Sequence, residues 1–379
     1  MALKSPLATP LAKRHRWYQF SLRTLIACVA MASLMLGLFA IRLERARRQA
    51  EAVAGLRRYG YVVYDNPWRR DDKLDVIWEP TSKSVVPSWL SDWLGPDFFQ
   101  NATSVCIRLP ELPDDESEDE QTAVWERLGR LRSLDHLSIQ IPSGGATQFT
   151  RLSLASNLRH LSLWGAVVRV SAEDARSLKR FSSLESLNLR NCLFEPGGLP
   201  PLGELPSLAL LDLSGSNVED GEIGILSECS GLRSLDLSQT NITEESLRIV
   251  GSLPKLEILE LDHTPISDDG LSHLGGLATL RSISLGNTPV TDAGIRSLEK
   301  LPALTTLDLR GTKVKGRTLN GLRAMERIDL SKTDADDEAL IAIANLPAIK
   351  HIDVSGTKVT NQGESQFRAL RPEVHLDGP

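Results

Sequence analysis

The chain has 379 residues, 41% of them hydrophobic and 24% charged, which excludes a wholly disordered protein and leaves room for two or three ordinary domains or one elongated array. Its formal charge of −6 is unevenly spread: residues 1–58 hold 11 Lys/Arg against 2 Asp/Glu, and the rest hold 32 against 47, a balance of −15. That acidity disfavours nucleic acid as a partner of the larger part.

In chain order, residues 1–23 form a basic tail, followed by "TLIACVAMASLMLGLFAI", Thr24 to Ile41, 18 residues without a charge. As a helix this stretch spans ~27 Å, close to a hydrocarbon core of ~30 Å. Arg23 and Arg42 can snorkel at its ends, and Trp17, Tyr18 and Phe20 lie where amphipathic rings favour the headgroup region. The expectation is a single-pass, uncleaved anchor. A cleaved signal peptide is the alternative, with "KRHR" at Lys13 to Arg16 as its basic end, but "FAIRLERARR" turns charged with no small-x-small cleavage pattern close behind. Five cationic residues precede the span and six follow, a near balance under the positive-inside rule. Because long domains translocate regardless of flanking charge, the N-terminus is placed inside and the large domain outside the cytoplasm. Residues 42–58 continue as a basic juxtamembrane helix.

Residues 59–133 read as an N-terminal cap module. "YGYVVYDNPW" and "KLDVIWE" suggest two strands joined by a turn at Asn66 and Pro67. "PSWLSDWLGPDFF" suggests a short helix and loop, with Trp89, Trp93, Phe98 and Phe99 packing on the first coil. "SVCIRL", Ser104 to Leu109, starts the edge of an array, and a helix is expected from about Thr122 to Arg130. Between them "ELPDDESEDE", Glu111 to Glu120, puts seven carboxylates in ten residues, expected as a solvated loop because it lacks the glycine and ligand spacing of a calcium loop.

Residues 134–379 repeat themselves. The pattern LxxLxL starts at Leu134, Leu158, Leu184, Leu208, Leu232, Leu256, Leu280, Leu304, Met325 and Ile349, at intervals of 24, 26, 24, 24, 24, 24, 24, 21 and 24. Within each unit the alternation, as at Leu235 and Leu237, predicts a short strand with one buried face. Thr240, Thr264, Thr288, Thr312, Thr333 and Thr357 then form a column of hydroxyls at the turns. Ile242, Ile266, Val290, Val314 and Val359 enter the core, and Thr243, Ser267 and Thr291 are candidate helix caps. Leu247, Val250 and Leu253, with their counterparts Leu271, Leu274, Leu277 and Ile295, Leu298, Leu301, supply one helical face; Pro206, Pro254, Pro302 and Pro347 stop the helices. A single unit cannot bury its apolar face, so the units must stack into an α/β solenoid, a horseshoe with parallel strands on the concave face and helices on the convex one. "VHLDGP" is expected as the closing edge strand, with Val374 and Leu376 in the positions of Ile352 and Val354.

"LDLSGSNVEDGEIGIL", "LDLSQTNITEESL", "LDHTPISDDGL", "LGNTPVTDAGI" and "LDLRGTKVKGRTL" resemble the leucine-rich repeat family over about Leu134 to Leu376. The T-x-I/V-T/S-D-x-G-L variant is similar to the cysteine-containing repeats of F-box adaptors and of many bacterial proteins; no F-box precedes the repeats, which argues against a ubiquitin-ligase adaptor. Joined to "RWYQFSLRTLI" and "RLERARRQAEAVAGL", the whole resembles bacterial membrane-anchored leucine-rich repeat proteins. The resemblance implies a non-catalytic protein-interaction module or scaffold and is nearly silent on the ligand.

Little in the chain points to catalysis. Cys28 falls in the apolar span, and Cys106, Cys192 and Cys229 lack CxxC spacing, so reduced, buried thiols are expected rather than a zinc site. His136 and His160 share a repeat position but Ser186 follows them, and the remaining histidines show no zinc or nucleophile spacing with Cys or Asp. No phosphate-binding glycine loop is present. No cofactor and no metal are therefore expected. Candidate partner-binding residues come from the concave positions. Asp212, Asp236, Glu260, Asp308, Asp329 and Asp353 form a negative stripe, interrupted by Ser284, suited to a basic peptide or divalent cations, although Asp there is also ordinary repeat consensus. Trp164, Leu210 and Ile258 would add apolar contacts with a protein or peptide partner. Lys313, Lys315, Arg317, Arg323 and Arg327 gather around the 21-residue interval as a basic patch. Two other readings stay open: a structural envelope protein with no specific ligand, and a regulator or enzyme with its activity in residues 59–101.

Overall fold

The computed structural model describes residues 22–64, 68–70, 76–78, 94, 97, 101–110, 116–152 and 155–378. The first element, helix α1 (Leu22–Leu56), is continuous for 35 residues, so the apolar stretch and the basic stretch form one rod of ~52 Å. It is long and apolar enough to cross a membrane. Its first half exposes Ile26, Val29, Leu34, Met35 and Leu38, whereas in its second half Ala46, Ala52, Val53 and Leu56 are buried. That half packs on helix α2 (Glu116–Gly129) and on the strands Gly60–Tyr64 and Ala102–Arg108.

A 13-stranded sheet follows the chain from one end to the other. Its twelve strands from Ala102–Arg108 to His375–Asp377 run parallel in sequence order, and Gly60–Tyr64 pairs antiparallel with Ala102–Arg108 at the N-terminal edge. Twelve gaps of ~4.8 Å give an arc of about 58 Å. In the regular coils the register is set by the 24-residue period: Leu235 lies beside Leu211 and Leu259, and Ile283 beside Leu259 and Leu307. These side chains are at most 2% exposed and belong to one continuous core. Each such side chain contributes about 1.5–3 kcal/mol of burial, which no single coil could gather alone.

The turns explain the threonine column. From Ser186–Asn188 to His351–Asp353 each strand leaves the sheet through one left-handed residue: Asn191, Gly215, Gln239, His263, Asn287, Gly311, Lys332 and Gly356 all have φ between 55° and 69°. The next side chain locks that bend. The hydroxyls of Thr240, Thr264, Thr288, Thr312, Thr333 and Thr357 donate to the carbonyls of Leu237, Leu261, Leu285, Leu309, Leu330 and Val354 at 2.5–2.6 Å. The turn itself is thus made one residue before the threonine.

On the convex side the coils are tied by carboxylates. Asp220 accepts from the Thr243 amide and hydroxyl, Asp268 from those of Thr291, and Asp337 from those of Thr360. Thr243 and Thr291 also cap their own helices by accepting from Glu245 and Ala293 amides. The expected Ser267 cap is not formed. At the place where the neighbouring coils carry Asp220 and Asp268, the coil before Ser267 has Glu244, and no short carboxylate pins the serine.

The cap departs from its expected outline. Gly60–Tyr64 does not form a hairpin with "KLDVIWE" but joins the main sheet; Val76–Trp78 pairs instead with Trp68–Arg70. The connecting Asn66 and Pro67, and Trp89, Trp93, Phe98 and Phe99, lie outside the described residues. Helix α2 starts at Glu116, so half of the acidic run is helical rather than loop. Glu120 accepts from the Tyr59 hydroxyl and pairs with Arg58 at 2.9 Å, fastening the end of α1 to the cap. Burial and this hydrogen bond raise the Tyr59 pKa. Inside the cap Trp125 and Phe149 meet edge to face, 5.8 Å apart.

Candidate functional site

Alternation along each strand sends one residue into the core and its two neighbours onto the concave face. All nine sequence candidates lie on this face. Trp164 is 45% exposed, while Leu210 and Ile258 are half-buried beside their neighbouring strands. The Trp164 indole donates to Ser138 Oγ at 3.1 Å, which fixes the ring while leaving its face open.

The carboxylates have two different roles. Asp212, Asp236, Asp329 and Asp353 each accept from the amide two residues on, Ser214, Ser238, Ser331 and Ser355, at 2.8–2.9 Å, and Asp308 accepts from Arg310 N at 3.0 Å. Aspartate recurs there because its short side chain closes the exit from the strand. Glu260 breaks this rule: in its coil the corresponding amide, Asp262 N, donates to Ser238 Oγ at 3.2 Å. Its longer carboxylate stays on the concave surface beside Asp236.

Charge along the stripe is uneven. Arg310 binds Asp308 at 2.6 Å and approaches Asp262 at 3.7 Å, so the C-terminal half of the stripe is partly neutralised. Asp262 is also held by the Gly286 amide at 2.7 Å and by the Ser284 hydroxyl. The carboxyl groups crowd most closely at Asp212, Asp236, Glu260 and Asp262. Glu260 retains solvent-accessible surface but lies in the curve of the sheet. Its pKa is pushed up to about 7, first by desolvation there, then by the charges of Asp236, Asp262 and Asp212 and the hydrogen bond with Asp236. Burial likewise raises Asp212, against the two hydrogen bonds from Ser214. Asp236, Glu260 and Asp262 line a hollow of about 240 Å³ bounded by Arg190 on one side and Arg310 on the other.

The sequence candidates outside the stripe divide differently. The basic patch does not assemble on one surface: Arg327 lies in a concave strand, whereas Arg317 is paired with Asp336 and Glu338 at 2.9 and 3.0 Å beside a convex helix. The 21-residue coil replaces its α-helix with a 3-10 turn at Leu319–Gly321. Cys192 and Cys229 are buried free thiols, pushed up to about 12 and about 11 chiefly by desolvation, while Cys106 is only half-buried.

One cluster was missed. His351 and His375 do meet an aspartate, Asp377, because the last strand pairs His351 with His375, Ile352 with Leu376 and Asp353 with Asp377. The register expected from Val374 and Leu376 was two residues off, since Leu376 sits beside Ile352, and that slip hid the match between "HID" and "HLD". At the other end of the sheet His136 and His160 are also register partners, with ring centroids 5.4 Å apart, and burial lowers the His136 pKa.

The geometry is that of stacked 24-residue coils, and the comparisons agree with it. A family model for the leucine-rich repeats of an FBD-associated F-box protein matches residues 146–254, and a second model, Leucine Rich repeat, matches residues 252–275. The chain is a leucine-rich repeat protein. An internalin of Listeria monocytogenes, inlF, superposes with a TM-score of 0.52 at 17% identity, over 81% of this chain and 90% of its own, a likeness of fold. A leucine-rich repeat protein of Leptospira interrogans gives a TM-score of 0.49 at 18% identity, over 67% and 68% of the two chains. A second internalin from Listeria monocytogenes, inlC2, gives 0.43 at 25% identity, over 56% and 84%. No curated protein matches the sequence.

Proposed function

We propose that this leucine-rich repeat protein is a non-catalytic, membrane-anchored binding module whose concave face takes a basic segment of a protein partner. The observation that carries the reading is the departure of Glu260 from the strand-closing role of its aspartate neighbours. It places one more carboxylate beside Asp236 and Asp262 than the turns need. A cationic side chain entering the hollow relieves their repulsion and displaces the proton that Glu260 holds up to about pH 7. Trp164, Leu210 and Ile258 supply apolar contacts on the same face. The first half of α1 serves as the anchor, and because its second half is buried against the cap, the solenoid is held close to the bilayer rather than on a flexible tether.

Two experiments test this reading. Full-length protein in lipid nanodiscs is titrated with a Lys/Arg-rich peptide and with a Glu-rich peptide of equal length. The account expects selective binding of the basic peptide that weakens with salt and strengthens from pH 5 to pH 7.5, and that falls at least tenfold in the Asp236→Asn/Glu260→Gln double variant. Equal binding of both peptides, or no change in the double variant, overturns it. Protease protection in sealed, right-side-out membranes then places the solenoid. Digestion of residues 134–379 before permeabilisation puts it outside, and protection puts it in the cytoplasm, contrary to the expected orientation.

A further inference from the structure

The last two coils assemble a donor set at the C-terminal end of the concave face, away from the carboxylates around Glu260. Parallel pairing stacks the imidazoles of His351 and His375, with centroids 4.9 Å apart and planes inclined by 16°. Both rings turn Nε2 toward one carboxylate: His351 Nε2 lies 3.3 Å from Asp377 Oδ2, and His375 Nε2 lies 3.1 Å from Asp377 Oδ1. One donor atom from each of the three residues falls within 4.8 Å of the others. Four-coordinate zinc, with bonds of about 2.0–2.2 Å to nitrogen and oxygen, sets its donors about 3.3 Å apart. Both histidine–carboxylate separations already have about that length, each to its own oxygen of Asp377.

We propose that His351, His375 and Asp377 bind a divalent transition cation of the zinc class, with a fourth position open to water or to an atom of a bound partner. Two neutral imidazoles and one carboxylate select such an ion over magnesium or calcium, which take oxygen donors. Asp353 and Asp329, in the adjoining strands, add negative charge nearby, while the exposed Arg327 beside His351 opposes it, so selectivity rests on the donor atoms rather than on the field. The ion has a structural consequence. His375–Asp377 is the last strand of the sheet and has a neighbour on one side only, so a cation shared with His351 staples that edge to the coil before it.

The test uses full-length protein in detergent micelles, stripped with a chelator and titrated with Zn²⁺ against a chromophoric competitor, with amide exchange of residues 361–378 followed in parallel. The expected result is one ion per chain, undiminished by millimolar Mg²⁺, together with slower exchange in the last coil. His351→Gln, His375→Gln and Asp377→Asn each weaken uptake at least tenfold, and His375→Gln also abolishes the zinc-dependent slowing. The His136→Gln/His160→Gln variant, altered in the other histidine pair, binds as the parent does. Circular dichroism without metal confirms that the variants fold, as expected for side chains on the surface. Absence of saturable uptake overturns the proposal, as does uptake that survives His375→Gln or that is lost equally when His136 and His160 are replaced.

Discussion

His136 and His160 at one end of the concave face and His351 and His375 at the other occupy equivalent positions on paired strands, yet their surroundings differ. The first pair is flanked by Ser138, Ser162 and the exposed indole of Trp164; the second is flanked by Asp353 and Asp377. Burial lowers the pKa of His136, whereas His351 and His375 both contact a carboxylate. The buried ladder fixes where a side chain stands, and the residues between the leucines decide what that place can do. Function in such a fold is therefore written in departures from the repeat, and substitutions in the two classes of position should behave differently.

The largest expected effect is in the ladder. Leu259→Ala, at a fully buried position between two regular strands, is expected to cost about 2–5 kcal/mol in denaturant unfolding. A loss below about 1 kcal/mol would mean that the coils do not share one core. Thr288→Val keeps the shape but removes the hydroxyl that holds the Leu285 carbonyl, and about 1 kcal/mol should be lost in the same assay.

Positions between the leucines should hardly move the unfolding midpoint below about pH 4.5, where Glu260 is protonated whether the chain is folded or not. Glu260→Gln is read through pH. Glu260 keeps its proton in the folded chain up to about pH 7 but releases it near 4.5 when unfolded, so the folded state binds more protons across that window. This contribution to stability is fully present below about pH 4.5 and disappears as pH rises through 7. The parent should accordingly lose stability from pH 5 to pH 8 more steeply than Glu260→Gln; parallel curves would remove the case for a crowded carboxylate. Trp164→Ala should change stability by no more than about 0.5 kcal/mol, since the ring is exposed, while weakening capture of the partner. A large stability loss would turn Trp164 into part of the frame.

How much of this was readable in the sequence follows the same division. Leucine spacing gave the strands, their order and their register through the middle coils, because a 24-residue period leaves one way to stack each unit on the next. The threonine column was visible, but the left-handed residue before it was not, since Gln239, His263 and Lys332 give no local signal for positive φ. At the edges the period fails: Gly60–Tyr64 found its partner in Ala102–Arg108, 38 to 47 residues away, which no local pattern announces. The histidine and aspartate cluster was legible in principle in "HIDVSG" and "VHLDGP". It was lost because Val374 and Leu376 alternate as convincingly in either of two registers, and pairing alone decides between them. The candidate residues on the concave face were found by position, but the difference between a turn-closing aspartate and Glu260 emerged only from the hydrogen bonds.

The most direct test of the concave face is site-specific photocrosslinking in native membranes, with the probe at Ile258 on the concave side or at Ile341, which is 58% exposed on a convex helix. The account predicts an adduct from Ile258 but not from Ile341, to a segment that mass spectrometry finds rich in Lys and Arg, and lost in the Asp236→Asn/Glu260→Gln background. An adduct from Ile341 alone, or one from Ile258 that persists in the double variant, would contradict it.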